Sequence, residues 1–212
     1  YGNKLVTFPA AESMDRGVSF NHRADAIYDR GKSRTNRKEA EAIVEDLVGR
    51  MRNELQRSES DRLTFGVITF NIQQQTLIQD LLDAARRDDP ELEWFFSDDR
   101  IEPTAVKNLE NVQGDERDVM YFSITFGRDV AGKWTLNFGA LNRDGGERRL
   151  NVAVTRARQQ LIVYSSFKGE ELAAERSGKR GVMHLKHFLE YAEKGAIALA
   201  AQTEGSVGEY DS

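Results

Sequence analysis

The sequence predicts an α/β fold, a parallel β-sheet with helices on both faces, and three observations carry that expectation. Helical runs with one apolar stripe alternate with short apolar segments along the 212 residues. The segment Leu63-Thr64-Phe65-Gly66-Val67-Ile68-Thr69-Phe70 is apolar on both sides, as suits a strand covered by helices on each face rather than an alternating edge strand. A helix between successive strands is the connection that parallel pairing needs, and no internal repeat is found.

Residues 1–35 are rich in Gly, Asp, Arg and Asn and form an irregular opening segment, in which Val18-Ser19-Phe20 could be a short strand. Asn36 stands three residues before Glu39, a capping-box spacing, and Ala40, Ile43, Val44, Leu47, Val48, Met51 and Leu55 come after it at helical intervals. After the strand ending near Phe70, Asn71 to Arg87 is helical, with Leu77, Ile78, Leu81, Leu82 and Ala85 as its stripe. Beyond Asp88-Asp89-Pro90 come the cluster Trp94-Phe95-Phe96, a strand around Thr104-Ala105-Val106, a polar turn with Gln113-Gly114, and the strand Val119 to Ile124. Glu147 to Arg158 reads as a helix, Leu161 to Tyr164 as a buried strand and Val182 to Tyr191 as a late helix. The resulting domain layout is an opening segment 1–35, a core domain 36–167, a helical extension 168–192 and a small, polar tail 193–212 with the composition of a linker.

Composition narrows the function. There are 30 Lys+Arg against 35 Asp+Glu, a net charge of −5, so any contact with nucleic acid must be made by a local basic stripe within a repulsive overall field. The absence of cysteine excludes disulfide scaffolds, thiol catalysis, Cys-type zinc sites and iron–sulfur clusters. No apolar stretch approaches the roughly 20 residues of a spanning helix, and no basic region with an apolar signal core opens the chain, so a cytoplasmic location is expected. The start at Tyr1-Gly2-Asn3-Lys4-Leu5 reads as a fragment of something longer.

Three segments could carry chemistry. Glu147-Arg148-Arg149-Leu150-Asn151-Val152-Ala153-Val154-Thr155-Arg156-Ala157-Arg158 would, as one helix, set Arg149 and Arg156 seven residues apart on one face. Either this is a solvated basic face, or its arginines make the planar, bidentate phosphate contacts for which guanidinium is suited. Val106 to Asp118, with Lys107, Asn108, Gln113, Gly114 and Glu116, is either a plain surface turn or a loop lining a ligand crevice, where Gly114 lets the backbone approach a phosphate. Gly66 to Gln75 ends a strand in a polar cluster at a helix start; Thr69, Asn71 and Gln74 could offer neutral donors to a backbone phosphate, or Asn71 is merely the cap.

Together these segments resemble the second RecA-like domain of superfamily 1 helicases, in the subfamily B branch of the nonsense-mediated-decay helicase and Senataxin. Gly66 to Gln75 is similar to helicase motif IV, Val112-Gln113-Gly114-Asp115-Glu116 to motif V, and Arg149 to Arg158 to motif VI, in the same order and spacing. Asn36 with Glu39-Ala40 matches a signature ahead of motif IV, and Tyr1 to Leu5 the segment after motif III. The resemblance covers roughly residues 1–167. It implies a RecA-like, P-loop NTPase fold without a phosphate-binding loop of its own, and an ATP site shared with an upstream RecA-like domain that holds most of the ATP and Mg²⁺. Arg156 would be the arginine finger on the γ-phosphate and Glu116 a nucleotide contact at the ribose. Arg149 would be a helper, and Gln113 and Gly114 would shape the loop between nucleotide and strand. Thr69, Asn71, Gln74, Lys107 and Asn108 would face single-stranded DNA or RNA.

Departures from the family pattern set limits. Gly31-Lys32-Ser33 is not a phosphate loop, since the leading glycine of that motif falls at Ala26 and no buried strand precedes it. Asp115 stands where some relatives of that branch carry a basic residue, and the fragment is expected not to hydrolyse ATP alone. No metal site is expected at His184 and His187, which lack a carboxylate partner in the sequence pattern. Trp94-Phe95-Phe96 could stack bases but more often such a cluster plugs a core. The segment after Lys168 is similar to the stretch beyond the helicase region in large bacterial multidomain proteins, where a nuclease-like domain can come next. Two rival functions stay open. One is a non-catalytic RecA-like binding or scaffold module, against which the presence of both Arg156 and Glu116 argues. The other is a small-molecule enzyme, for which no nucleophile–base pair or cofactor fingerprint is found.

Overall fold

A computed structural model describes residues 17–112 and 114–195, so that Tyr1 to Leu5, Gln113 and the tail beyond Gly195 lie outside the described residues. One sheet holds five parallel strands: β1 (Val18–His22), β2 (Phe65–Thr69), β3 (Ala105–Asn108), β4 (Arg117–Ser123) and β5 (Ala157–Ser165), in the order β1-β5-β4-β2-β3. The helices are α1 (Arg37–Leu55), α2 (Ile72–Asp88), α3 (Gly146–Val154) and α4 (Arg180–Lys194). Among the described residues no helix is long and apolar enough to cross a membrane.

Alternate residues of each strand serve opposite faces. Phe65, Val67, Val119, Tyr121, Ile162 and Tyr164 pack with Ile43, Leu47 and Met51 of α1 and Ile78 and Leu82 of α2. Ile68, Met120, Phe122, Leu161 and Val163 pack with Leu150 and Ala153 of α3 and Val182, Leu185 and Phe188 of α4. Connections running toward β3 carry helices on the first face, and the connection running back toward β1 carries α3 on the second, as right-handed crossovers require. This is the RecA-like α/β arrangement, three-layered with a core on each side of the sheet.

The chain departs from its sequence pattern at informative places. The helix expected over 147–158 stops at Val154, and β5 begins at Ala157. Thr155 Oγ1 and Arg156 Nε both donate to the Val152 carbonyl, at 2.8 and 3.0 Å, and close the helix end. The strand expected over Leu161 to Tyr164 therefore begins four residues earlier, where Ala157-Arg158-Gln159-Gln160 are exposed or only partly buried and carry no apolar alternation. Phe95 is buried and meets Phe65 edge-on at 5.8 Å, so the aromatic cluster packs the core, while Arg100 and Arg62 sit 3.3 and 4.4 Å from the Trp94 ring centroid.

At the carboxyl ends of β2 and β4 the capping box forms only in part. The Asn36 side chain accepts from Glu39 N at 3.3 Å, but Glu39 does not reach back. Its carboxylate goes instead to Ser123 Oγ, which donates at 2.6 Å, and to Thr125 N, which donates at 2.7 Å. Gln74 takes the capping role: its Oε1 accepts from Asn36 N at 2.8 Å, and its Nε2 donates to Asn36 O and Ser123 Oγ at 3.0 Å each. Thr125 is held at φ 67°, a left-handed conformation costly for a β-branched residue. Glu39 is fully buried, and that burial pushes its carboxyl up to about 8, against the opposing hydrogen bonds from Ser123 and Thr125.

The unfolded chain ionises Glu39 in the ordinary glutamate range, about 4.3, while the folded chain keeps it protonated up to about 8. Its contribution to stability is therefore complete below the unfolded value and is lost as pH rises through the folded one. Glu39→Gln keeps the acceptor and cannot ionise, so it should raise the melting temperature at alkaline pH and change it little at about pH 4. Thermal melts monitored by circular dichroism check this; an effect independent of pH would contradict the buried, protonated carboxyl.

Candidate nucleotide and nucleic-acid interface

The residues singled out in the sequence divide between the two edges of the sheet. At the amino edge, Arg156 immediately precedes β5 and Glu116 immediately precedes β4. Arg156 Nη1 lies 3.4 Å from Glu116 Oε1, with the arginine side chain 20% exposed and the glutamate 49% exposed. The backbones are joined as well, since Arg117 N donates to Arg156 O at 3.1 Å. The pair is thus presented to solvent from a fixed base, with one guanidinium edge pinned to the end of α3 and the other reaching a carboxylate it can exchange for another anion.

Arg149 does not join it. Its Nη1 donates to the Asp144 carbonyl at 3.0 Å, ahead of α3, whereas Arg156 is tied to Val152 near the other end. At 1.5 Å per residue the two anchors are about 12 Å apart, so the shared face expected from a continuous helix is absent.

Two arginines outside the expected set build the ground beneath the pair. Arg117 is buried; its Nε and Nη2 donate to Pro103 O at 3.1 and 2.8 Å, and its Nη1 to Glu116 O at 2.7 Å. Arg158 donates through Nη1 to Glu102 at 2.7 Å, through Nε to Asp118 at 3.1 Å and through Nη2 to Thr64 Oγ1 at 3.1 Å. The Arg158 guanidinium holds the Glu102 carboxyl below its usual range. Burial works to raise Asp118, but the Thr64 amide and Arg158 outweigh it and keep that carboxyl low. Arg158 is visible in the sequence as part of the motif VI-like segment, but its partner Glu102 lies 56 positions away in a segment with no pattern of its own. Between these groups opens a cavity of about 460 Å³, bordered by Lys107, Gly114, Glu116, Arg117 and Arg158. Gly114 sits there at φ 83°, exposed, in a conformation open to glycine, and Lys107 Nζ lies 3.9 Å from Asp115.

At the carboxyl edge the structure turns most of the expected strand-facing residues inward. Thr69 is fully buried and donates to Asn71 O at 2.8 Å; Gln74 is fully buried in the Glu39 cluster. Asn108 is buried, donating to Gln75 Oε1 at 2.8 Å and accepting from Glu110 N at 2.9 Å. Their polar atoms are engaged by the fold and hold the edge in place, Thr69 and Gln74 with no exposed surface and Asn108 with 5%. Asn71 stays partly exposed, capping α2 through Gln74 N at 2.8 Å and donating to Arg34 O at 2.9 Å. Lys107 faces the cavity of the other edge. The Gly31-Lys32-Ser33 turn is exposed and α1 starts only at Arg37; β1, which precedes it, is an edge strand and only half-buried. Among the described residues no group of three His, Asp or Glu could hold a metal ion.

A five-stranded parallel sheet of this order with helices on both faces is that of a P-loop NTPase-like α/β domain. The chain belongs to the family described as AAA domain, whose model matches residues 9–168. It is 34% identical over 197 residues to a protein of Mycoplasma genitalium described as uncharacterized ATP-dependent helicase MG140, and 34% identical over 200 residues to the homolog in Mycoplasma pneumoniae. In each case the alignment covers 91% of this chain, and the chain spans about 16% of the length of the relative.

The Arg117 contacts tie the Glu116 backbone to the segment before β3, so Arg117→Met should destabilise the domain by about 1–3 kcal/mol, as expected when buried carbonyls lose their donors. It should also speed amide hydrogen exchange around residues 114–116 more than in β4 itself. Denaturant unfolding and exchange mass spectrometry read the two effects; unchanged exchange in that loop would mean that Arg117 does not order it.

Proposed function

We propose that the chain is the C-terminal motor domain of an ATP-dependent helicase or translocase of superfamily 1, in its subfamily B, and that it works as the trans-acting half of an ATP site completed by an upstream RecA-like domain of the same parent chain. The observation that carries this reading is the Arg156–Glu116 pair, fixed from below by Arg117 and open to solvent above. The family match and the relatives described as ATP-dependent helicases support it.

In this reading Arg156 leaves Glu116 for the γ-phosphate and stabilises the negative charge that develops there during transfer. Such arginine fingers are worth about 10³–10⁵ in rate, and a lysine lacks the planar, two-pronged donor set. Glu116, once released, accepts from the ribose hydroxyls. Gln113 and Gly114 shape the loop beside it, and Arg149, pinned at the far end of α3, acts at most at a distance from the finger. Mg²⁺ would be held mainly by the upstream domain and would neutralise phosphate charge there. Asn71 contacts the DNA or RNA single strand, with Thr69, Gln74 and Asn108 positioning the edge behind it, while Lys107, which faces the cavity of the other edge, lies apart from that contact. With no phosphate loop of its own, the fragment by itself does not turn over ATP. A nuclease-like domain downstream of residue 212 in the parent would fit the same reading.

Steady-state ATP hydrolysis by the full-length parent protein, with and without single-stranded DNA and RNA, tests this. Strand-stimulated turnover should fall by about 10³-fold or more in Arg156→Ala, with nucleotide binding retained, and Arg156→Lys should not restore it. A parent that binds strands yet never hydrolyses ATP would favour an inherited scaffold.

A further inference from the structure

The Gly31-Lys32-Ser33 turn has no part in an ATP site, yet it is a built structure. Tyr28 is buried against Phe126, with ring centroids 5.1 Å apart, and roots the loop in the core. From there Asp29 closes it: its carboxylate accepts from Ser33 N at 3.0 Å and Ser33 Oγ at 2.8 Å, its N–H donates to Thr35 O at 2.9 Å, and its carbonyl accepts from Arg34 N at 2.8 Å. Arg34 is held at φ 58°, and its carbonyl receives the Asn71 side chain. The loop is therefore fastened to the residue that caps α2, at the carboxyl edge where Asn71 is the partly exposed member of the motif IV-like segment.

Its charge is opposite to that of the chain. Residues 23–38 hold Arg23, Arg30, Lys32, Arg34, Arg37 and Lys38 against Asp25 and Asp29, in a chain of net charge −5. Arg30 is paired with Asp129 at 2.9 Å, Lys38 with Asp25 at 3.1 Å and Arg37 with Glu41 at 3.0 Å. Among the described residues no carboxylate lies within ion-pair distance of Lys32 or Arg34, and both are exposed. Ile72, 58% exposed, comes directly after Asn71 and offers apolar surface beside them. Lys32 lies in the field of the Asp29 carboxylate and Arg34 bonds the Tyr28 hydroxyl, so the loop projects two cations that are not ion-paired beside a neutral amide, which suits a flexible polyanion whose charges repeat along a backbone.

We propose that Lys32 and Arg34, together with Asn71, grip the backbone phosphates of the single strand, so that loop 28–35 is a nucleic-acid clamp of this domain. The inference rests on the reading that a strand passes over this edge. Because the contacts are to phosphate, the grip is indifferent to base sequence and weakens with salt.

Fluorescence anisotropy of the 212-residue chain with labelled oligo-dT and oligo-U of about 20 nucleotides, titrated from roughly 50 to 200 mM salt, reads this directly. Arg34→Gly suits the left-handed backbone and gives up the side-chain contact to Tyr28, and Lys32→Glu alters an exposed side chain; circular dichroism of each variant checks that the fold is kept. The double variant should bind about tenfold or more weakly at low salt and lower the slope of log affinity against log salt by about 1.4, or roughly 0.7 per lost phosphate contact. Lys194→Ala, which removes a cation of α4, should change neither. If the double variant binds as wild type does while Asn71→Ala weakens binding, the clamp is wrong and the strand-binding reading stands. If wild type binds neither oligonucleotide, both fall.

Discussion

A single buried carboxyl organises the carboxyl edge of this sheet. Glu39 enters from α1, meets Ser123 at the end of β4 and the amide of Thr125 beyond it, and shares Ser123 with Gln74 of α2. Three segments distant in sequence are thereby brought to one point, and Thr125 is kept in a backbone conformation it would not choose alone. The position matters because the order of the strands reverses between β2 and β4, and in doubly wound sheets the crevice at such a reversal, outside the carboxyl ends, is where ligands bind. Here protein fills it. Thr69 and Gln74 resemble ligand contacts in the sequence because they stand where ligand contacts stand in other sheets of this kind; the polar groups are retained, but they satisfy one another.

With the crevice closed, chemistry is left to the opposite edge and to the loops. The Arg156–Glu116 pair stands at the amino ends of β4 and β5, on a platform of Arg117 and Arg158 whose partners are carbonyls, carboxylates and a threonine hydroxyl. Such a platform gives the pair a fixed position while leaving its outer surface free, which is what a group serving a neighbouring domain needs. The chain as a whole is acidic while residues 30–38 carry five basic side chains and no acidic one, a local reversal of the overall charge.

Much of the fold was legible because burial on two faces writes itself into the strands as continuous apolar runs, and burial on one face writes itself into α1 and α2 as stripes. The illegible parts lay where polar residues hold structure together. Ala157-Arg158-Gln159-Gln160 belong to the strand yet are exposed or only partly buried, so Ala157 and Arg158 read as helix and drew Arg156 into a helix it does not occupy. Burial of Gln74 and Asn108 could not be read, since an amide that bonds a neighbour and an amide that awaits a ligand have the same letters. The pairing of Arg158 with Glu102, and the link from Asn71 to Arg34, depend on contacts across 56 and 37 positions that no local spacing encodes.

The connection from β3 to β4 has a mechanical consequence. It leaves the carboxyl edge at Asn108 and arrives at the amino edge at Arg117, passing β2 on the way. With about 3.3 Å per strand residue and about 4.8 Å between strands, its ends are roughly 22 Å apart, while nine chain steps reach at most about 30 Å. A turn at 108–111 consumes part of that length, with Asn111 N bonded to Asn108 O, and Leu109 and Val112 are moored in the core. The described part of the connection is thus moored at both edges, by Leu109 and Val112 in the core and by Arg117 on Pro103 and Glu116, so that one short crossing joins the filled crevice to the edge that carries the Arg–Glu pair.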